Sequence, residues 1–229
     1  FYTSNAGLKE LKQEICNYLK RRMQVEYDYN TEVMVTIGGS EAIDAALRAM
    51  LDPGDEVLIP QPSYVSYVPC TILAGGVPVV IELEEKDQFR LTREKLLEKI
   101  TDKTKVLVLP FPNNPTGAIM EREDLEAVAK VVEEKDLFVI SDEIYAELTY
   151  KKKHMTIASL PGMRERTVLI NGFSKAYAMT AGESATPARR PDFKADVKDP
   201  PVRHHVRSYH QPVRGGGSRE ERGTLISRR

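Results

Sequence analysis

From Gly7 to Arg22 the apolar residues Leu8, Leu11, Ile15, Tyr18 and Leu19 recur at helical spacing, which predicts an amphipathic helix with one face turned inward. Beyond it, short apolar runs alternate with longer amphipathic stretches. Val33–Ile37, Glu56–Pro60, Val77–Glu82, Lys105–Pro110, Leu137–Ser141 and Thr167–Asn171 read as strands. Ala42–Leu51, Tyr64–Ala74, Thr92–Ile100 and Arg122–Lys135 read as helices, the first of them stopped by Asp52-Pro53-Gly54. Several strands are unbroken apolar runs, as expected where both faces of a sheet are buried. The alternation therefore predicts an α/β fold: a mostly parallel sheet with helices on both faces, whose ligands sit at the carboxyl ends of the strands.

The pattern stops after Thr180. Residues 181–229 are rich in Pro, Gly, Arg and His, include Gly215-Gly216-Gly217, and read by composition as a disordered tail. They carry 11 Lys+Arg against 6 Asp+Glu, which leaves 22 against 28 for residues 1–180 and hides a strong asymmetry within the net charge of -1. A basic tail can serve nucleic-acid or membrane-surface binding, the alternative being a stretch never selected to fold. Cys16 and Cys70 are far apart and lack CxxC spacing, which argues against a disulfide framework or a zinc site and for a reducing, cytoplasmic setting. No apolar run approaches the ~20 residues of a membrane span, and no signal-peptide pattern opens the chain. Its first residue is Phe1 rather than Met, which reads as a truncated start.

Four motifs fall just after predicted strands, so they can converge on one site. They are Gly38-Gly39-Ser40-Glu41-Ala42, Pro112-Asn113-Asn114-Pro115-Thr116-Gly117, Ser141-Asp142-Glu143-Ile144-Tyr145 and Asn171-Gly172-Phe173-Ser174-Lys175. A strand-end lysine can hold an aldehyde as a Schiff base, a strand-end carboxylate can keep a ring nitrogen protonated, and a Gly-rich turn into a helix offers free N–H groups to a phosphate. Each has an ordinary reading too: a surface lysine, an N-cap aspartate, a turn asparagine, a strand-to-helix connection.

In this order and spacing the motifs resemble the class I/II aminotransferases, the pyridoxal-phosphate enzymes of fold type I, over Phe1 to Thr180. The resemblance implies part of the large domain of that fold, residues 1–180, and pyridoxal 5'-phosphate as cofactor. Lys175 would carry the Schiff base and move the proton at the substrate α-carbon, with Asp142 at the ring nitrogen and Tyr145 and Asn114 at the ring oxygen. Tyr64 would stack on the ring. Gly39, Ser40 and Glu41 would hold the phosphate, with Ser174 a further contact. Tyr2 would reach the phosphate of a partner subunit, which implies a homodimer. The reaction implied is transfer of an amino group from an amino acid to a 2-oxo acid, of aspartate or aromatic type. Carbon–sulfur lyases and synthases of the same fold share these residues, and a non-enzymatic nucleic-acid binder acting through the tail is the alternative from another class. No metal, nucleic acid or membrane is expected as a partner.

Members of the family continue past Ala-Met-Thr as Gly-Trp-Arg-x-Gly-Tyr, whose arginine grips the phosphate. Here Ala181-Gly182-Glu183-Ser184-Ala185-Thr186-Pro187-Ala188 stands instead. If the codons for these residues are chosen as GCT GGA GAG TCG GCT ACG CCT GCG and one preceding G is restored, they read Gly-Trp-Arg-Val-Gly-Tyr-Ala-Cys. From about Pro191 the other offset applies: Ala195 to His205 rereads as Gln-Met-Leu-Lys-Ile-His-Gln-Tyr-Ala-Ile-Met, and Ser208 to Gly217 as Pro-Thr-Thr-Ser-Gln-Tyr-Ala-Ala-Val-Glu. Residues 181–229 are thus expected to be a frameshifted tail, and His204, His205 and His210 a product of that shift rather than metal ligands. As written, the chain is expected to lack the phosphate arginine and the small domain, and to bind its cofactor weakly.

Overall fold

The computed structural model describes residues 6–179 and, for their backbone alone, residues 183–186. They belong to one compact unit, residues 1–195; the second unit, 196–229, lies outside the described residues. The strands are β1 (Met34–Thr36), β2 (Glu56–Gln61), β3 (Val77–Glu82), β4 (Thr104–Leu109), β5 (Phe138–Asp142), β6 (Thr167–Gly172) and β7 (Glu183–Thr186). The helices are α1 (Lys9–Met23), α2 (Gly39–Met50), α3 (Tyr67–Leu73), α4 (Arg93–Lys99), α5 (Arg122–Glu134) and the single turn α6 (Phe173–Ala176).

The strands form one seven-stranded sheet in the order β1-β7-β6-β5-β4-β2-β3. Pairings among β6, β5, β4, β2 and β3 are parallel, whereas β7 runs antiparallel to both β1 and β6. The side chains of β4 explain the unbroken apolar runs, because successive residues on a strand point to opposite faces. Val106 and Val108 pack with Ile43, Leu47 and Tyr67 of α2 and α3. Leu107 and Leu109 pack with Leu125, Val128 and Val132 of α5. A third cluster sets Ile15 and Leu19 of α1 against Leu169 of β6. The mostly parallel α/β sheet with both faces covered is therefore present as expected.

Two boundaries differ from the sequence reading. Residues 183–186 fall in the stretch assigned to the tail, yet their backbone pairs Met34–Thr36 on one side and Leu169–Gly172 on the other. Sheet pairing uses main-chain groups, so a strand forms here without the apolar pattern by which strands are read. The helix expected from Tyr64 starts instead at Tyr67, leaving Tyr64 on the connection from β2. The remaining tail and Tyr2 lie outside the described residues.

Candidate active site

The parallel strands point their carboxyl ends toward one edge, and the segments leaving them there line a cavity of about 270 Å³. Its wall includes Gly39 and Ser40 after β1, Tyr64 after β2, Asn114 after β4, Asp142 and Tyr145 at the end of β5, and Ser174 and Lys175 after β6. Among the described residues lining it, Asp142 and Lys175 are the only acidic and basic side chains.

Asp142 ends β5 and is 7% exposed. Its Oδ2 accepts from the Tyr67 hydroxyl at 2.8 Å and its Oδ1 from the Ile144 N–H at 3.2 Å, so the carboxylate is held from two sides. Tyr67 is buried at the start of α3. Burial first, and then the charge of Asp142, push its hydroxyl well above the usual tyrosine value, which keeps it protonated and a donor. Tyr64 meets Tyr67 edge to face at 5.8 Å between centroids, and its own hydroxyl lies 3.1 Å from Ser40 Oγ.

The two asparagines of the Asn113-Asn114 loop divide their work. Asn113 is buried, donating to the Pro62 carbonyl and accepting from the N–H and hydroxyl of Thr116, so it holds the loop in shape. Asn114 is exposed to the cavity, with its Nδ2 3.5 Å from the Tyr145 hydroxyl. Lys175 lies in α6, one turn past the end of β6, and its Nζ stands 5.8 Å from the centre of the Tyr145 ring. The lysine read as a strand-end residue is therefore displayed by a helical turn, with Gly172 as the N-cap.

At the start of α2, Gly38 has φ 90° and ψ 156°, a region open to glycine almost alone. That conformation turns the chain from β1 into α2, whose first residues Gly39 and Ser40 line the cavity and whose first N–H groups have no partner within the helix. The Glu41 side chain does not line the cavity; its carboxylate turns back to accept from the Ile37 N–H. Glu41 can thus contribute to an anion site only through its backbone. Sequence reasoning left Tyr67 and Asn113 without roles. A buried tyrosine whose hydroxyl requires a partner was the available signal for the first, while nothing in the motif separated Asn113 from Asn114.

Among the described residues there is no group of three or more His, Cys, Asp or Glu side chains that could hold a metal ion, and no helix long and apolar enough to cross a membrane.

The profile of the family described as "Aminotransferase class I and II" matches residues 1–213. The aspartate aminotransferase of Pyrococcus abyssi (strain GE5 / Orsay) is 48% identical over 180 residues, covering 78% of this chain and 46% of that protein. The aromatic-amino-acid aminotransferase 2 of Thermococcus litoralis is 43% identical over 180 residues, again 78% of this chain and 46% of that protein. The crystal structure of an aromatic aminotransferase from Pyrococcus horikoshii OT3 superposes with a TM-score of 0.81 at 46% identity, covering 82% of this chain and 51% of that one. The chain spans about half the length of the relatives it matches.

Proposed function

The chain belongs to the class I and II aminotransferase family, and from that premise we propose that it is the cofactor-binding part of an enzyme moving an amino group from an amino acid to a 2-oxo acid with pyridoxal 5'-phosphate. The observation that carries this reading is the convergence of one buried carboxylate, one amine and one helix N-terminus on a single cavity. The donor set suits the ring of that cofactor. When bound, the cofactor supplies an electron sink for the charge left on the substrate α-carbon.

The remaining chemistry belongs to the chain. The Lys175 amine would hold the cofactor's aldehyde and, once freed by the incoming substrate amine, its Nζ would carry the proton to and from the α-carbon. Asp142, steadied by Tyr67 and the Ile144 N–H, would hold positive charge at the ring nitrogen. Tyr145 and Asn114 would donate toward the ring oxygen, and Tyr64 would cover a ring face. Backbone N–H groups of Gly39, Ser40 and Glu41, with the Ser40 and Ser174 hydroxyls, would hold the phosphate. No arginine lines the cavity among the described residues, so among those residues these groups are the ones that would meet the phosphate. By the same premise the enzyme would be a homodimer, with Tyr2 assigned to the phosphate site of the partner.

The reading of residues 181–229 as out of frame belongs to the same proposal. Sequencing the encoding DNA tests it, and codons that do not reread as Gly-Trp-Arg-Val-Gly-Tyr defeat it.

For the site itself, the chain is incubated with pyridoxal 5'-phosphate, reduced with borohydride and mapped by peptide mass. The cofactor increment is expected on the peptide carrying Lys175, and Lys175→Ala removes it. Labelling spread over Lys151, Lys152 and Lys153 and unaffected by Lys175→Ala would defeat the assignment.

A further inference from the structure

Glu143, next to Asp142 in sequence, has no part in the chemistry above, yet its side chain is 1% exposed. Glu143 follows the last residue of β5, and the two neighbouring carboxylates have separate sets of partners. Asp142 reaches the cavity side and Tyr67. Glu143 enters a closed polar cluster formed with the segment that follows Tyr145. Its Oε1 accepts from the Ser141 hydroxyl at 2.8 Å and from the Thr156 hydroxyl at 2.5 Å, and its Oε2 lies 2.7 Å from His154 Nε2. Thr156 is 1% exposed and also accepts from the Ala158 N–H, so the cluster is anchored in a second segment.

A buried carboxylate without partners is costly, and one with three is held in a narrow geometry. The main chain of Glu143 is equally constrained: its N–H donates to the Ile170 carbonyl of β6 at 2.8 Å and its carbonyl accepts from the Ala146 N–H at 2.9 Å. The cluster therefore grips Ser141 and Glu143, the residues on either side of Asp142, and ties them to the strand that leads to Lys175. Tyr145 stands between the Glu143 and Ala146 ends of the same turn.

We infer that Glu143, with His154 and Thr156, is a positioning device that sets the Asp142 carboxylate and Tyr145 from outside the cavity. The inference rests on the cofactor reading above. None of the three residues touches the cavity; they act through Asp142.

The test uses the full 229-residue chain titrated with pyridoxal 5'-phosphate, read by affinity and by the induced circular dichroism of the bound cofactor at saturation, which reports ring orientation. Thermal melting is followed in parallel. Glu143→Gln keeps the shape but replaces one acceptor with a donor facing His154. Thr156→Val removes one donor, and Thr156→Ser keeps it. Removing a partner behind a ligand-holding group commonly weakens binding about 10- to 100-fold at metal sites, and about tenfold is expected here for Glu143→Gln and Thr156→Val. Both should alter the dichroism, and Thr156→Ser should restore both readouts.

If Glu143→Gln does not fold, the Thr156 pair decides by itself. Dichroism and affinity within twofold of wild type in Thr156→Val, whatever the change in melting, overturn the inference and leave the cofactor reading standing. A wild-type chain with no borohydride-trapped Lys175 overturns both.

Discussion

Replacing Tyr67 with Phe deletes one oxygen and leaves the ring in its cluster with Ile43, Leu47, Val106 and Ile140. The lost interaction is a 2.8 Å hydrogen bond from a fully buried hydroxyl to Oδ2 of Asp142, itself 7% exposed. Hydrogen bonds to charged groups contribute about 1.5–3 kcal/mol, and the packing change is small, so a loss of about 2 kcal/mol is expected. That is about a thirtyfold change in the folded-to-unfolded ratio. Urea denaturation of the chain without cofactor should show a midpoint lower by about 1 M at an unchanged slope. In an Asp142→Asn background the acceptor is neutral, and the same substitution should cost only about 1 kcal/mol. A Tyr67→Phe cost below about 0.5 kcal/mol, or equal costs in both backgrounds, would refute the claim that this hydroxyl holds a charged carboxylate.

Gly38→Ala forces a side chain into a glycine-only conformation (φ 90°, ψ 156°) at the entry to α2; a stability loss of about 1–3 kcal/mol with loss of borohydride trapping is expected, measured by denaturation and peptide mass. Leu107→Ala in β4, where Leu107 has 0% exposure, should cost about 2–5 kcal/mol by the same denaturation assay, through lost burial and the cavity left between the sheet and α5. Glu147 accepts from Arg22 through both carboxylate oxygens, at 2.9 and 2.8 Å, and from Tyr18 at 2.7 Å. The Arg22 hydrogen bond, helped by Tyr18 and opposed by partial burial, holds this carboxyl below its ordinary value of 4.5. A lowered folded value means the contribution is present above the unfolded value and is lost as pH falls through the folded one. The stability gap between wild type and Glu147→Gln should therefore be about 1 kcal/mol at neutral pH and narrow as pH falls below the ordinary value of 4.5, as followed by denaturation at each pH.

Much of the fold was legible because periodicity reports the local environment of each residue. The run Val106-Leu107-Val108-Leu109 announces burial on both faces, and the structure divides it between α2/α3 and α5. The apolar spacing from Leu8 to Leu19 announces a helix, observed as Lys9–Met23. The segments expected to converge did so for a topological reason: in a parallel sheet all carboxyl ends share one edge. What escaped were partnerships across long separations. Tyr67 and Asp142 are 75 positions apart, and no pattern around either names the other. Glu143 and Asp142 are adjacent and chemically alike, yet one meets the cavity and the other His154 and Thr156.

The order of strands and helices, the two-sided burial of the sheet, and the motifs ending its strands were thus determined by the sequence itself, since each depends on neighbours within a few residues. The tertiary structure alone decided the antiparallel place of Glu183–Thr186 between β1 and β6, the turning back of Glu41, and which of paired residues, Asn113 or Asn114, Asp142 or Glu143, meets the cavity. Those outcomes depend on main-chain pairing and on buried polar groups finding partners, and both are settled between segments that meet only once the chain has folded.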